Sequence, residues 1–155
     1  MLIWSRIAEL LESERRVALV TVVAARGSAP REPGARMIVL PSGAFTGTIG
    51  GGALEWQALG AAQAALAAGE RAGVSLRDIV LGPELGQCCG GRVKLAIEVI
   101  GAGELGLVRS LAEREAQGPV VTVSGGGSRR LAEPAEITAL GQDAVRLTAG
   151  GLSSA

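Results

Sequence analysis

The chain contains no histidine and no tyrosine, one phenylalanine and two tryptophans. Without histidine there is no Ser-His-Asp or Cys-His couple and no His-based zinc site. Any proton transfer falls to Glu, Asp, Cys, Lys or Arg. Aromatics at 2% leave no platform for stacking nucleic-acid bases. An excess of either charge is missing as well: Lys+Arg and Asp+Glu are 15 each, which argues against a partner held by its phosphate backbone. Long apolar runs are also lacking. The longest, Val17 to Ala25, is too short to cross a bilayer as a helix. The opening stretch Met1 to Arg16 is amphipathic, contains Glu9, Glu12 and Glu14, and reads as neither signal nor transit peptide. Neither nucleic acid nor membrane is therefore an expected partner.

Cysteine is scarce too. The two present, Cys88 and Cys89, are adjacent. Consecutive Cα atoms lie about 3.8 Å apart, below the usual disulfide span of about 4.4–6.8 Å, so an ordinary bridge between them is disfavoured. Two neighbouring free thiols suit a reducing compartment, and a cytoplasmic location is expected.

What is there is a chain of 155 residues, 48% hydrophobic, with a mean hydropathy of +0.36. That is enough for one domain with a real core and excludes a disordered tail. Ile3, Ile7, Leu10 and Leu11 fall on one face of an opening helix that ends near Arg15. Val17–Ala24, dense in β-branched residues, predicts a buried strand. Met37–Leu40 and Phe45–Ile49, around Pro41-Ser42-Gly43, predict a hairpin. Ala53 to Ala68 predicts a helix stopped by Gly69. Val74–Leu81 and Arg92–Ile100 read as strands, the second with Arg92, Lys94 and Glu98 on a wet face. Glu104–Gln117 reads as a helix in which Arg109 pairs with Glu113, and Val120–Val123 as a strand. Beyond it, the tail with Ile137–Leu140 and Val145–Leu147 reads as short strands and turns, and Leu152 to Ala155 as a fraying end. The expected class is α+β: a single domain over residues 1–155, with a mixed or mainly antiparallel sheet, about three helices and no complete Rossmann domain.

Three segments carry chemical potential. In Thr46-Gly-Thr-Ile-Gly-Gly-Gly-Ala-Leu-Glu55 a strand ends in Gly50, Gly51 and Gly52 and a helix begins. Free N–H groups and the helix dipole there form a nest for an anion; the plainer reading is a tight turn with Glu55 complementing the dipole. In Arg26-Gly-Ser-Ala-Pro-Arg-Glu-Pro-Gly-Ala-Arg36 two prolines stiffen a loop. Arg26, Arg31 and Arg36 offer it forked donors and Ser28 a hydroxyl, unless the arginines simply pair with Glu32 and other carboxylates. Gly86-Gln-Cys-Cys-Gly-Gly91 is the most distinctive. Thiolates bind soft metals or carry persulfide sulfur, and nearby Arg92 favours the thiolate. Adjacent cysteines between Gln87 and Gly90-Gly91 are poor core filler, although buried free cysteine is common. Two thiols alone do not make a four-ligand zinc site.

Gly101-Ala-Gly-Glu-Leu-Gly106 matches G-x-G-x-x-G. The next strand, however, ends in Ser124 and not in a ribose-binding acid, and the preceding elements are not doubly wound, so no NAD is expected.

The same segments carry a family likeness. Ala18-Leu-Val-Thr-Val-Val23, Gly27-Ser-Ala-Pro-Arg-Glu-Pro-Gly-Ala-Arg-Met37, Gly47-Thr-Ile-Gly-Gly-Gly-Ala-Leu-Glu55 and Leu81-Gly-Pro-Glu-Leu-Gly-Gln-Cys-Cys-Gly-Gly91 together resemble the N-terminal domain of the XdhC/CoxI family. The resemblance is sharpest from Val17 to Val99. It implies an accessory protein of xanthine dehydrogenase-type molybdenum hydroxylases and not a turnover enzyme. Such a protein binds molybdenum cofactor (molybdopterin), protects it while a cysteine desulfurase installs its terminal sulfur, and delivers it to the apo-subunit. The cofactor-binding set expected on this basis is Ser28, Arg31, Arg36, Gly50, Gly51, Gly52, Glu55, Gln87, Cys88, Cys89, Gly90 and Gly91. Within it, the nest with Arg31 or Arg36 suits the phosphate, and Cys88 and Cys89 suit the metal or its sulfur. A sulfur transferase or thiol oxidoreductase using Cys88 or Cys89, and a structural partner subunit binding no cofactor, are the competing readings. A homodimer is compatible with a small apolar domain. Many family members continue into a Rossmann-like second domain with a histidine in its glycine motif; lacking histidine, this sequence is expected not to contain it.

Overall fold

In the computed structural model two strands of 11 residues, β1 (Arg16–Arg26) and β5 (Gly91–Gly101), pair antiparallel at the centre of a five-stranded sheet. β2 (Arg36–Val39), β3 (Phe45–Gly47) and β4 (Val74–Leu81) complete it in the order β3-β2-β1-β5-β4, every neighbour antiparallel. The structure describes all residues except 28, 30, 70–72, 83–89, 126, 142–144, 149–150 and 155, and it leaves the side chains of residues 147, 148 and 151 undescribed.

Strand alternation sorts the two central strands onto two faces. Val20 and Val22 of β1, Met37 and Val39 of β2, and Leu95 and Ile97 of β5 pack against α2 (Gly52–Ala68). Leu54, Ala58, Ala62 and Leu66 recur along one side of that helix and fill the space. Val17 and Leu19 of β1, Ile38 of β2 and Ile100 of β5 face the other way, onto α1 (Ile3–Ser13) and α3 (Leu105–Glu115). Each aliphatic side chain so buried contributes about 1.5–3 kcal/mol, so two covered faces make this sheet the main source of stability.

The rest of the chain builds a second antiparallel sheet. Its strands β6 (Thr122–Gly125), β7 (Ser128–Leu131), β8 (Val145–Thr148) and β9 (Gly151–Ser154) lie in the order β7-β6-β9-β8. Val145 and Leu152 meet Val23 and Ala96 of the first sheet. Several expectations are corrected here. Ile137–Leu140 is not a strand but the end of α4 (Pro134–Leu140), started by a proline whose fixed φ and missing N–H suit a first turn. Leu152 does not fray; it is 1% exposed in a strand held between β6 and β8. The wet face of β5 is wet only at its start, because Glu98 is sealed under the second sheet by Arg129 of β7. Arg109 reaches Glu12 of α1 at 3.3 Å and not Glu113.

The class is α+β, as expected. Both sheets are wholly antiparallel, and the described residues form four α-helices where about three were expected. The G-x-G-x-x-G stretch leaves β5, whose two neighbours run antiparallel to it, and enters the 3₁₀ turn Ala102–Glu104, so it is no part of a βαβ unit. No helix among the described residues is long and apolar enough to cross a membrane.

Candidate functional site

Antiparallel order decides where the three glycine-rich segments emerge. β1, β3 and β4 run one way, so they end where β2 and β5 begin. The arginine loop after Arg26, the glycine turn after Gly47 and the cysteine segment after Leu81 therefore all leave the sheet at one end. Two of them touch. Gly27 has φ +69°, and a Cβ there would sit 3.2 Å from Gly91 Cα. Any side chain at Gly27 would push the arginine loop off the end of the cysteine segment. Gly90 and Gly91 of the expected set are thus brought beside this loop, while Ser28, Gln87, Cys88 and Cys89 lie outside the described residues.

The arginines of the loop diverge. Arg31 is exposed at its tip, whereas Ala29 and Ala35 pack onto the α2-side core. Arg36 shares the face of Ile38, the α1 and α3 side, in a depression that it lines together with Trp4 and Glu115. Burial holds its guanidinium below its ordinary pKa, against the opposing pull of Glu98 and Glu115. Arg36 and the glycine nest therefore sit on opposite faces of the sheet, and the structure does not bring them together.

The nest itself is formed and filled. Gly50, Gly51 and Gly52 have φ of +126°, +77° and +61°, conformations that glycine adopts without strain. Oε1 of Glu55 accepts the N–H groups of Ile49 at 3.1 Å and Gly51 at 3.0 Å, together with the Thr48 hydroxyl. Thr48 Oγ1 in turn accepts the Gly50 N–H at 3.1 Å. Burial would raise the Glu55 pKa, but the bonds from Thr48, Gly51, Ile49 and Gly50 outweigh it and hold the carboxyl below its ordinary value. The anion in this nest is the chain's own carboxylate. α1 is closed the same way: Glu115 accepts from Ile3 at 2.7 Å, Trp4 at 2.9 Å and Ser5 at 3.2 Å, satisfying donors that a helix start leaves open.

One charged place is open, and sequence reading did not assemble it. Arg26, Arg92, Lys94 and Arg146 line a cleft of about 530 Å³ with Asp78, the one carboxylate among its described walls. A bulge creates this grouping. β1 pairs Val22 with Leu95 and then Ala24 with Lys94, so Val23 is an extra residue. Before it, even-numbered β1 residues face α2; after it, Ala24 and Arg26 turn to the second-sheet side with Lys94 and Arg92. β8 supplies Val145 to the floor beside Val23, and Arg146 to the rim. Asp78 reaches Lys94 only at 3.9 Å, and among the described residues no carboxylate bridges Arg26 or Arg92. The sequence offered Arg26 as a donor and Arg92 as a neighbour of the thiols; nothing in it joined them to Lys94 and Arg146.

This arrangement can now be set beside known proteins. Residues 10–78 match the XdhC and CoxI family. That stretch of the chain contains the arginine loop and the glycine nest, so the likeness drawn from those motifs holds there. The cysteine segment lies beyond the matched residues. The chain is also similar to the crystal structure of a xanthine dehydrogenase from Bacillus halodurans (BH1974), with a TM-score of 0.62 at 19% identity. The superposition takes in 95% of this chain and 40% of that one, so the XdhC/CoxI-like chain spans well under half of its structural relative. At that identity the likeness is one of fold. Among curated proteins none matches.

Proposed function

We propose that this chain is an accessory protein that binds molybdenum cofactor, shields it, and hands it on for sulfuration and insertion into a xanthine dehydrogenase-type molybdenum hydroxylase. The observation that carries the reading is the convergence of the family-like segments at one end of the sheet, with Gly27 seated on Gly91. The family match over residues 10–78 supports an accessory role over turnover.

The donors at that end fit an anionic, phosphorylated group. Arg26, Arg31 and Arg92 are exposed there and present planar forks. The bound cofactor supplies the metal and dithiolene chemistry used later by the hydroxylase; this chain's residues hold and enclose it. Gly50–Gly52 with Glu55 shape the turn from inside and leave phosphate binding to the arginines. Cys88 and Cys89 are the soft donors for the metal or its sulfur. The partners are an apo-hydroxylase subunit and a cysteine desulfurase, met in the cytoplasm, where adjacent thiols stay reduced.

The test is anaerobic loading of the purified protein, gel filtration, and measurement of molybdenum and pterin in the protein peak. Wild type is expected to retain both, and a Cys88→Ser/Cys89→Ser variant to lose most of them. If the folded wild type retains neither, the carrier reading is wrong.

A further inference from the structure

We propose that the outer face of α2 is the contact of a homodimer, in which a second copy of this chain lays its own α2 antiparallel across it about a two-fold axis at Gly60. The inner face of α2 packs on the sheet through Leu54, Ala58, Ala62 and Leu66. The outer face carries no charge. Among the 17 residues of the helix the one ionisable side chain is Glu55, and its carboxylate is turned into the glycine nest. α1 and α3 differ. Arg6, Glu9 and Glu12 on the first, and Arg109, Glu113 and Arg114 on the second, are exposed charges of the kind that solvates a surface helix. On α2 such a position holds Trp56, 76% exposed. Phe45 extends the patch. It pairs with Val39 across β2 and β3, so it stands on the α2 side of the sheet, and it is 46% exposed. Glu55, bonded to Thr48, holds the start of the helix beside that hairpin; further along, a Cβ on Gly43 would lie 2.9 Å from Gln63 Nε2. The single phenylalanine and one of the two tryptophans are thus exposed in one layer, while Trp4 is buried. Clustered exposed apolar groups of this size mark a contact surface.

The pattern of the face names its occupant. Gly60 is the centre, and each outward position before it has a counterpart equally far beyond it: Trp56 with Ala64, Gln57 with Gln63, Ala53 with Ala67. At 3.6 residues per turn these positions share a stripe about 120° wide. Two such helices laid antiparallel about Gly60 bring each Trp56 level with Ala64 of the other copy, so a large side chain meets a small one twice over. Gln57 and Gln63 flank the contact with uncharged amides. A Cβ on Gly60 would meet nothing within 4 Å, and so small a centre lets the two axes approach to about 8 Å. A two-fold contact requires one patch to complement itself, and an uncharged patch meets its own copy with no like charges opposed. Other occupants lack this match. A lipid surface or a nucleic acid would need basic residues beside the apolar stripe, and α2 has none. α2 begins at the end of the sheet from which the glycine-rich segments leave, so antiparallel helices put the two candidate sites at opposite ends of the dimer, both open. The inference does not rest on the carrier function proposed above.

Sedimentation equilibrium on the full chain tests this, with circular dichroism to check the fold of each variant. Wild type is expected to be a dimer. Gly60→Glu and Gly60→Lys each oppose like charges at the two-fold and are expected to be monomers. Neither threatens the helix, because both replacements are better helix formers than an interior glycine. Mixing the two variants is expected to restore a dimer, since opposite charges then face each other. Ser110→Glu, an equal charge at an exposed position of α3, is expected to leave the dimer intact. Trp56→Gln, which adds no charge, is expected to raise the dimer dissociation constant about tenfold or more, as removal of a central aromatic anchor does. Wild type that stays monomeric at its highest soluble concentration overturns the inference and gives the face to a different chain. Charged variants as dimeric as wild type also overturn it, because the contact then lies on another face. Monomeric charged variants that do not combine on mixing overturn the two-fold at Gly60. None of these readouts involves molybdenum cofactor, so the carrier function stands or falls separately, by the loading experiment.

Discussion

β5 carries charge in two opposite ways along one face. In its inner half Glu98 is 2% exposed, and Arg129, equally buried, lies 3.0 Å away. At its start, Arg92 and Lys94 look into an open cleft with two further arginines and Asp78. The inner pair is closed: Arg129 also binds Glu104 at 2.6 Å and lies 5.6 Å from the Trp4 ring centroid, tying β7 to β5 and α1. In the outer group Lys94 meets Asp78 only at 3.9 Å, and among the described residues no carboxylate bridges Arg26 or Arg92. The glycine nest before α2 belongs with the inner pair, since Glu55 already fills it. A glycine-rich turn at a helix start is thus a poor guide to ligand binding unless its anion is known.

The comparison is broken most severely from the closed side. Arg129→Met would take from buried Glu98 the cation bonded to it, leaving only the weaker pull of Arg36, a loss of up to about 3–5 kcal/mol. Against a total stability of about 5–15 kcal/mol, that is a large drop in the urea midpoint, and it should be accompanied by loss of the second sheet's packing. Arg129→Met/Glu98→Leu removes both charges and is expected to recover most of the loss. If Arg129→Met alone unfolds at the wild-type midpoint, the pair is not the closure described here.

Glu55→Ala sharpens the comparison by turning a closed site into an open one. It frees the N–H groups of Ile49 and Gly51 and costs about 1 kcal/mol, the usual scale for losing a helix-start carboxylate or hydroxyl. Phosphate should then raise the melting temperature of the variant more than that of wild type, because the emptied nest attracts anions. The pH dependence has a definite sign. The Glu55 pKa is depressed in the folded state, so its stabilisation is present above the unfolded carboxyl value and is lost as pH falls through the folded one. The gap in melting temperature between wild type and Glu55→Ala should be full at neutral pH and shrink in acid below the ordinary carboxylate range. A gap that is constant down to strong acid would remove the carboxylate from this role.

How much of this was legible depended on range. The elements from α1 to β5 follow from local period and β-branched density, but β1 is apolar on both faces, so which face α2 covers could not be read from it. The second sheet was harder, since strands of four residues hold too few alternations to declare themselves, and Ile137–Leu140 gave an apolar run with no period. Its helical cue was Pro134 at the first turn. At the site, the glycine nest was visible as a motif, but its occupant, Glu55, was read only as a neighbour of the dipole. Arg31 or Arg36 was grouped with the nest because the family resemblance implies a phosphate to hold, whereas strand alternation turns Arg36 to the other face. The cleft was hidden twice, by the single-residue bulge at Val23 that rotates Arg26 and by the distant strand that brings Arg146.

The smallest expected effect on stability falls in the cleft. Arg92 is exposed and bridged to no carboxylate among the described residues, so Arg92→Gln should change stability by no more than about 0.5 kcal/mol. Its sign should be favourable at low salt, because removing one of several clustered cations relieves repulsion, and the gain should vanish as salt screens exposed charges over about 10 Å at 0.1 M. Thermal melts of wild type and Arg92→Gln across a salt series measure this directly. A variant more stable at low salt and equal at high salt would mark the cleft as a place where the fold tolerates repulsion among exposed cations. A variant less stable at every salt concentration would mean that Arg92 holds the structure together, and the cleft would then belong with the closed charges of Glu98 and Glu55.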